Sequence, residues 1–325
     1  MSTEKIRVLL VTTWGVPCGI AEHSANLKQA VEGADPGITI VPRPELLDPC
    51  ADIGRWDFTI CHLNYHAALH SRWTPEEIQR WKEWVPMLVT YHDTGVPNAD
   101  QCKTIIDAAD AAVVHEPFDD LPQEKTHYWR MGVPEYEGVG QPPAGTGTRP
   151  YLGTVGFPFP WKNYDELCRA TATVGWGLCL IAPGATADDQ QRWRGLNPWV
   201  EIHPTFLPQA EVIGRLRGCD ATAFCYVCHN TGQSGAILQG IAAGKTIFAL
   251  RTCRQFRALY EDPLGGTAIR WGKSFVDLQD WLTWGARGRG RFDSGTIALR
   301  EQESWRHLGK KYAALYRDLV SRERA

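Results

Sequence analysis

The chain has 325 residues, 43% of them hydrophobic and 22% charged, which excludes global disorder and favours two domains of ~150 residues each. The formal net charge of −3 excludes a polycation built to coat nucleic acid. No apolar run reaches the ~18 residues that a membrane span needs, and no signal-peptide pattern precedes the first strand-like run. The ten cysteines are scattered, so we expect them to be reduced and the protein to be cytoplasmic.

The two halves of the chain differ in charge. Residues 1–150 carry 12 Lys+Arg against 21 Asp+Glu, a net of −9, whereas residues 151–325 carry 22 against 16, a net of +6. An anionic ligand is therefore expected in the second half.

Strand-like and helix-like segments alternate in the first half. The predicted strands are Ile6–Thr12, Ile38–Val41, Asp57–Cys61, Met87–Tyr91 and Ala111–Val114. One helix is predicted from Ile20 to Val31 by its apolar spacing, and another through Trp84, opened by the capping box Thr74–Glu77.

A Gly- and Pro-rich linker at 138–150 precedes the second half, where the alternation resumes. The predicted strands are Tyr151–Val155, Gly177–Ala182, Val200–His203, Ala221–Tyr226, Thr246–Leu250 and Thr267–Trp271. The predicted helices are Tyr164–Val174, Pro208–Arg217, Ser234–Ala243, Ser274–Trp284 and Glu301–Ser321. This pattern predicts an α/β protein with two Rossmann-like, doubly wound parallel sheets, separated by a cleft and binding ligands beyond the carboxyl ends of the strands.

The loop after the first strand carries Gly15 and Gly19, and the helix that follows at Ile20 offers free amide groups to an anion. An ordinary strand–helix turn is the alternative. The loop lacks the dinucleotide pattern G-x-G-x-x-G, and no acidic residue ends the second strand, which argues against a hydride-transfer enzyme.

Two further strand ends carry a titratable side chain. His92, followed by Asp93, is placed to act as a base or to orient a hydroxyl; the alternative is a histidine packed at a strand end. Lys162 ends a Pro-rich loop just before a helix and could neutralise a diphosphate, although a lone lysine is usually solvated.

A polar, Gly-rich loop precedes the helix predicted at Ser234. Ser234 is a suitable N-cap, and Gly232 and Gly235 keep the backbone accessible, so amides and the helix dipole form a candidate phosphate site.

Several of these segments resemble the GT-B glycosyltransferases, in particular retaining glycosyltransferase family 4. Ser234–Ile247 (SGAILQGIAAGKTI) is similar to the family's donor-site helix. The other similar segments follow in the family's order: Gly19–Ala21, Thr90–Asp93, Gly153–Asn163, Phe206–Glu211 with Cys219–Asp220, and the final helix from Ser304 to Leu319.

The resemblance implies an acceptor-side domain at 1–145, a nucleotide-sugar domain at 146–300 and a helix at 301–325 that returns to the first domain. It implies transfer of a sugar, with retention, from a UDP- or GDP-linked donor to an acceptor hydroxyl, without a metal ion or another cofactor. The chain has no Asp-x-Asp sequence. The implied catalytic residues are His92 and Lys162. The implied donor-site residues are Gly19, Ile20, Lys162, Thr231, Gly232, Ser234, Gly235, Ala236 and Gln239. The acceptor-side candidates are Trp14, His62, Asn64, Asp93 and Glu116.

The chain departs from the family pattern at its two glutamates, where it has Thr231 and Gln239. Gln239 can bond a hydroxyl without charge, but Thr231 cannot match a glutamate in length. A non-catalytic GT-B protein or partner subunit and a sugar-nucleotide epimerase therefore stay open as alternatives. The acidic first half favours a small-molecule, glycan or protein acceptor, with a hydroxylated base in viral DNA as the alternative.

Three further patterns are weaker evidence for a functional site. His62, His66 and His70 lie four residues apart and could share a helix face that binds a metal. Cys225–His229 spells the haem-attachment pattern C-x-x-C-H, but no export signal is present, and the basic loop Arg287–Arg291 is typical of a solvated turn.

Overall fold

A computed structural model describes residues 5–49, 57–92, 99–116, 121–144, 147–227, 233–285 and 293–322. The strands are β1 (Ile6–Val11), β2 (Ile38–Pro42), β3 (Ile60–Tyr65), β4 (Met87–Tyr91), β5 (Ala111–Val114), β6 (Thr126–Tyr128), β7 (Tyr151–Val155), β8 (Gly177–Ile181), β9 (Val200–His203), β10 (Ala221–Phe224), β11 (Ile247–Leu250) and β12 (Ile269–Gly272). The helices are α1 (Gly19–Ala34), α2 (Pro75–Lys82), α3 (Ala99–Ala108), α4 (Tyr164–Thr173), α5 (Ala187–Leu196), α6 (Gln209–Gly218), α7 (Gly235–Ala243), α8 (Arg257–Glu261), α9 (Pro263–Ala268), α10 (Phe275–Asp280), α11 (Ser294–Gln302) and α12 (Trp305–Arg322).

The chain divides into two compact units. Unit 1 comprises Met1–Gly132, Thr231–Gln233 and Glu303–Ala325, and unit 2 comprises Val133–Asn230 and Ser234–Gln302. The division after Gly132 falls ahead of the linker that the sequence suggested at 138–150.

Unit 1 contains one parallel six-stranded sheet in the order β2-β1-β3-β4-β5-β6. Its central strands are buried because both faces are covered, which accounts for the continuous apolar run of β1. Helix α12 packs against α1 on one face and adds Tyr312 and Tyr316 to the core. The two helices approach closely at Gly309, where a Cβ atom would lie 2.5 Å from the Ala30 backbone.

Unit 2 contains a second parallel six-stranded sheet, in the order β12-β11-β10-β7-β8-β9. Counted within the unit, this is the Rossmann order, with the change of direction between β7 and β10. In unit 1 the direction changes between β1 and β3. The predicted fold class, two Rossmann-like parallel sheets, is confirmed, and ligands of such sheets bind at the carboxyl ends of the strands beside these switch points.

Several predicted boundaries are wrong for identifiable reasons. The third strand is not Asp57–Cys61 but runs from Ile60 to Tyr65, since polar side chains within it are satisfied inside the unit. A helix capped by Asp262 occupies the first part of the segment predicted as a strand at Thr267–Trp271. The final helical segment is two helices, α11 and α12. Strand β6 and helices α3 and α5 were not predicted. None of the described helices combines the length and apolar character that a membrane crossing requires.

Candidate functional site

A buried hydrogen-bond network lies at the switch point of the unit 1 sheet. The Asn64 side-chain amide on β3 donates to the Ser24 hydroxyl on α1 over 2.7 Å, and Ser24 also bonds Thr12, which follows β1, at 2.6 Å. The Asn64 side-chain oxygen contacts His92 Nε2 at 2.5 Å, just beyond β4. Because the Asn64 amide group already donates to Ser24, its oxygen faces the ring, which makes His92 Nε2 the donor and leaves its Nδ1 deprotonated.

Three histidine rings meet beside this network. His23 of α1, His92 and His115, which follows β5, have ring centroids 4.5–5.3 Å apart. His23 and His115 are buried, and His92 is half-buried. Burial lowers the pKa of His115 to about 4. Burial, reinforced by repulsion from neighbouring histidines, holds the pKa values of His23 and His92 well below their usual range. All three rings are therefore neutral at neutral pH.

His62 lies inside the unit rather than at a strand end. It occupies the middle of β3 with no exposed surface, and its two ring nitrogens bond the Tyr316 hydroxyl at 2.7 Å and the Thr90 hydroxyl at 2.8 Å. The ring therefore has neither the exposure nor a spare nitrogen that an acceptor contact would need. The idea that His62, His66 and His70 share a helix face is wrong, because His62 is on a strand and the other two lie in the turn that follows.

The other unit 1 candidates lie around the ends of β1 and β5. Gly19 opens α1 in an exposed position with no atom within 4 Å of an added Cβ, and Ile20 beside it is half-buried. Trp14 is half-buried in the loop before them, and Glu116 is buried next to His115. Asp93 lies outside the described residues.

Lys162 is the buried cation at the switch point of the unit 2 sheet. It ends a short 3-10 helix after β7, and only 5% of its surface is exposed. Its Nζ lies 3.4 Å from the centroid of the Tyr226 ring and 4.5 Å from that of Trp161, so two aromatic faces help to stabilise the charge. The next residue, Asn163, adopts the left-handed conformation that starts α4. Lys162 is therefore not solvated, which rules out the alternative weighed against its proposed role.

The backbone at Gly156 approaches Lys162 closely. Gly156 has a φ of +145°, and a Cβ there would lie 3.1 Å from Lys162 Nζ and 3.1 Å from the Tyr164 hydroxyl. That hydroxyl donates to the Gly156 carbonyl over 2.8 Å. Only glycine fits this conformation and contact, so the loop after β7 is built around the lysine.

The amino end of α7 is near the same ring. Burial raises the pKa of the Tyr226 hydroxyl well above its usual range, and a hydrogen bond with the Ser234 side chain lowers that pKa by a smaller amount. Ser234 occupies the N-cap position of α7, but its side chain forms no capping bond, contrary to its expected role. Gly235 is exposed with open space beside it, and Ala236 and Gln239 are half-buried. Thr231 and Gly232 lie outside the described residues.

The sequence did not single out His23, His115 or Tyr226. His115 could have been found by the same rule as His92, because it directly follows a buried strand. Tyr226 ends the apolar run that was predicted as a buried strand, so nothing in the sequence distinguished it from a core residue. His23 gave no signal, since only the packing of α1 against the sheet turns it toward the other two rings.

No family model matches the chain, and neither does any curated protein. Solved structures do match it across nearly its full length. Anabaena Alr3699/HepE in complex with UDP and glucose is 12% identical with a TM-score of 0.70, covering 97% of this chain and 100% of that one. A glycosyltransferase from Rickettsia africae is 12% identical with a TM-score of 0.65, and the match covers 98% of this chain and 99% of that one. AviGT4, a glycosyltransferase of avilamycin A biosynthesis, is 15% identical with a TM-score of 0.60, and the match covers 97% of this chain and 98% of that one. The fold is therefore that of the GT-B glycosyltransferases.

Proposed function

We propose that this protein is a glycosyltransferase that moves a hexosyl group from a nucleotide-diphosphate sugar to an acceptor hydroxyl. The observation that carries the proposal is Lys162: a buried cation, held by Tyr226 and Trp161, at the sheet switch point where doubly wound domains bind nucleotides. The open amino end of α7 supplies the backbone amides and the positive helix end that a phosphate prefers. Both features belong to the half of the chain with net charge +6.

The chemistry requires stabilisation of the departing diphosphate. As the bond between the anomeric carbon and the diphosphate oxygen breaks, negative charge grows on the phosphate groups. A fixed ammonium group and backbone amides can stabilise that charge without reorganisation. We assign this role to Lys162 and to the amides at Ser234–Ala236, with no metal ion at the diphosphate and with retention of configuration, as in glycosyltransferase family 4.

The donor nucleotide is proposed to be uridine diphosphate, with GDP as the alternative. Anabaena HepE, which shares the fold at 12% identity, was solved with UDP and glucose. Gln239 is proposed to bond a donor hydroxyl as a neutral group in place of the glutamate of family 4.

The acceptor is proposed to meet unit 1 at His92. Its ring is neutral and half-exposed, and Asn64 fixes its orientation, so Nδ1 can accept a hydrogen bond from a hydroxyl. The net charge of −9 over residues 1–150 disfavours a polyanionic acceptor, so a small molecule, glycan or protein is favoured over DNA. All eight described cysteines are free, which fits a cytoplasmic enzyme.

The test is a panel of UDP- and GDP-sugars, with thermal shift reporting binding and nucleotide release reporting turnover. Lys162→Ala should weaken donor binding about tenfold to a hundredfold, the loss expected for one charge-assisted hydrogen bond. Lys245→Ala is the matched control, because Lys245 is also a buried lysine of unit 2 but follows the opposite, carboxyl end of α7.

His92→Ala should lower turnover more than donor affinity. If no nucleotide sugar stabilises the protein, the transferase proposal is wrong. Tight binding without release across varied acceptors would instead indicate a non-catalytic GT-B protein.

A further inference from the structure

His23 and His115 have no role in the proposed sugar transfer, and together with His92 their rings form a set of three nitrogen donors. Each ring offers one nitrogen, and these atoms all lie within 4.8 Å of one another. Tetrahedral zinc, with Zn–N bonds of about 2.0–2.1 Å, needs nitrogen pairs about 3.4 Å apart, so the rings would close by at most about 1.4 Å.

Two ring nitrogens of these histidines are buried without a hydrogen-bond partner in the described residues. They are Nε2 of His23, whose residue is 3% exposed, and Nε2 of His115, whose residue is 2% exposed. A buried polar atom left unbonded is costly, and a metal ion is one of the few partners that can satisfy two such atoms at once.

Outer hydrogen bonds orient these rings in the way that metal-binding histidines require. His115 Nδ1 donates to the Trp129 carbonyl over 2.8 Å, which leaves the lone pair on Nε2. The Asn64 oxygen accepts from His92 Nε2, which leaves the lone pair on Nδ1. The Asn64 amide nitrogen, which can only donate, lies 3.5 Å from His23 Nδ1, so coordination through His23 Nε2 would give up only this long, weak contact.

We propose that His23, His92 and His115 bind a divalent transition-metal ion, with zinc as the best match. Neutral imidazole is the form that coordinates, and three imidazoles suit zinc, cobalt, nickel or copper rather than magnesium or calcium. No carboxylate belongs to the set. The half-exposed His92 marks the side from which a water or hydroxyl would take the fourth position. The site lies wholly in unit 1. A metal on His92 Nδ1 would replace the hydrogen bond proposed there for the acceptor hydroxyl, so metal binding is tested separately from sugar transfer.

A second group of potential ligands lies in unit 2 and must be separated from this one. It comprises Cys179, Glu201 and His203. Here the donor atoms already satisfy one another, since His203 Nε2 contacts the Glu201 carboxylate at 2.8 Å and Arg215 pairs with the same carboxylate at 3.6 Å. We therefore place the metal in unit 1.

The test uses the full-length, chelator-treated protein titrated with Co²⁺ and then with Zn²⁺. Visible d–d absorption of tetrahedral cobalt should appear at one equivalent, without the thiolate-to-cobalt charge-transfer band that Cys179 would give. Zinc should displace the cobalt and raise Tm. His23→Ala and His115→Ala should each weaken cobalt binding by at least about a hundredfold, since loss of an outer-shell partner alone costs about 10–100-fold.

His127→Ala is the matched control, because His127 is a unit 1 histidine on β6 outside the cluster, and it should bind cobalt as the unchanged protein does. If either buried variant fails to fold in the absence of metal, His92→Ala at the half-exposed position provides the same comparison. The proposal is overturned if the unchanged protein gives no d–d absorption, if the cluster variants bind normally, or if Cys179→Ser abolishes binding.

Discussion

Acidification should unfold unit 1 long before its carboxylates are protonated. His62, His70 and His115 are buried and have pKa values lowered by burial to about 3, about 4 and about 4. An unfolded histidine titrates near 6.5. Above that pH both states are neutral and these groups contribute nothing. Below it the unfolded chain binds protons that the folded unit cannot, so stability falls until the folded pKa is reached.

The magnitude follows from these values. Moving from about pH 7.5 to about pH 5 should cost about 2 kcal/mol for each of the three histidines, about 6 kcal/mol in all. The lowered pKa values of His23 and His92 act in the same direction. Glu22 on α1 acts in the opposite direction, because burial raises its pKa to about 7, and it offsets about 2 kcal/mol of the loss. A typical domain has only about 5–15 kcal/mol of stability, so the loss is comparable to the whole.

The assay is urea unfolding at a series of pH values, with hydrogen exchange of β3 and β4 amides reporting unit 1 specifically. The slope near pH 5.5 should correspond to an uptake of about two to three protons or more on unfolding. His70→Asn should reduce that uptake by about one proton. His307→Asn, at an exposed position of α12, is the matched control. A stability that is flat between about pH 6.5 and about pH 5 would refute the reasoning.

Two further predictions concern the packing of unit 1. Gly132→Ala should destabilise the unit by about 1–3 kcal/mol through overpacking, because the new Cβ would lie 2.5 Å from the buried Trp305 ring. Gly33→Ala is the control, since a Cβ there meets open space, and equal Tm values for the two variants would contradict the clash. Tyr316→Phe should cost about 1–3 kcal/mol because it leaves His62 Nδ1 buried without a partner, and an unchanged urea midpoint would contradict that bond.

The sequence predicted the fold wherever local patterns decide it. The strand predicted at Ile6–Thr12 from its apolar residues is β1, and every residue of β1 except Arg7 is buried. The position of His92 beyond β4 followed from the order of elements. The place of Lys162 in its loop was enough to make it a candidate site residue. Its burial against Tyr226 was not predictable, because Tyr226 follows β10, far along the chain.

What the sequence could not predict depends on partners distant in the chain. His62 and Asn64 interrupt the apolar pattern of β3, so the predicted strand ended at Cys61 and not at Tyr65. They are tolerated there because residues such as Tyr316 and Ser24 bond them. No local pattern reports such a partner. The meeting of His23 with His92 and His115 has the same origin, because each ring arrives on a different element.

The packing of α12 in unit 1 has a consequence for synthesis on the ribosome. This helix follows every other described element of both units along the chain, yet it supplies Trp305, Tyr312, Tyr316 and Leu319 to the core around β1. While the chain is still emerging, the face of the first sheet that α12 covers stays bare, although its strands were made first. Unit 2, whose elements end at Gln302, has its complete sequence earlier. The order of maturation therefore runs against the usual order of translation, in which the amino-terminal domain matures first.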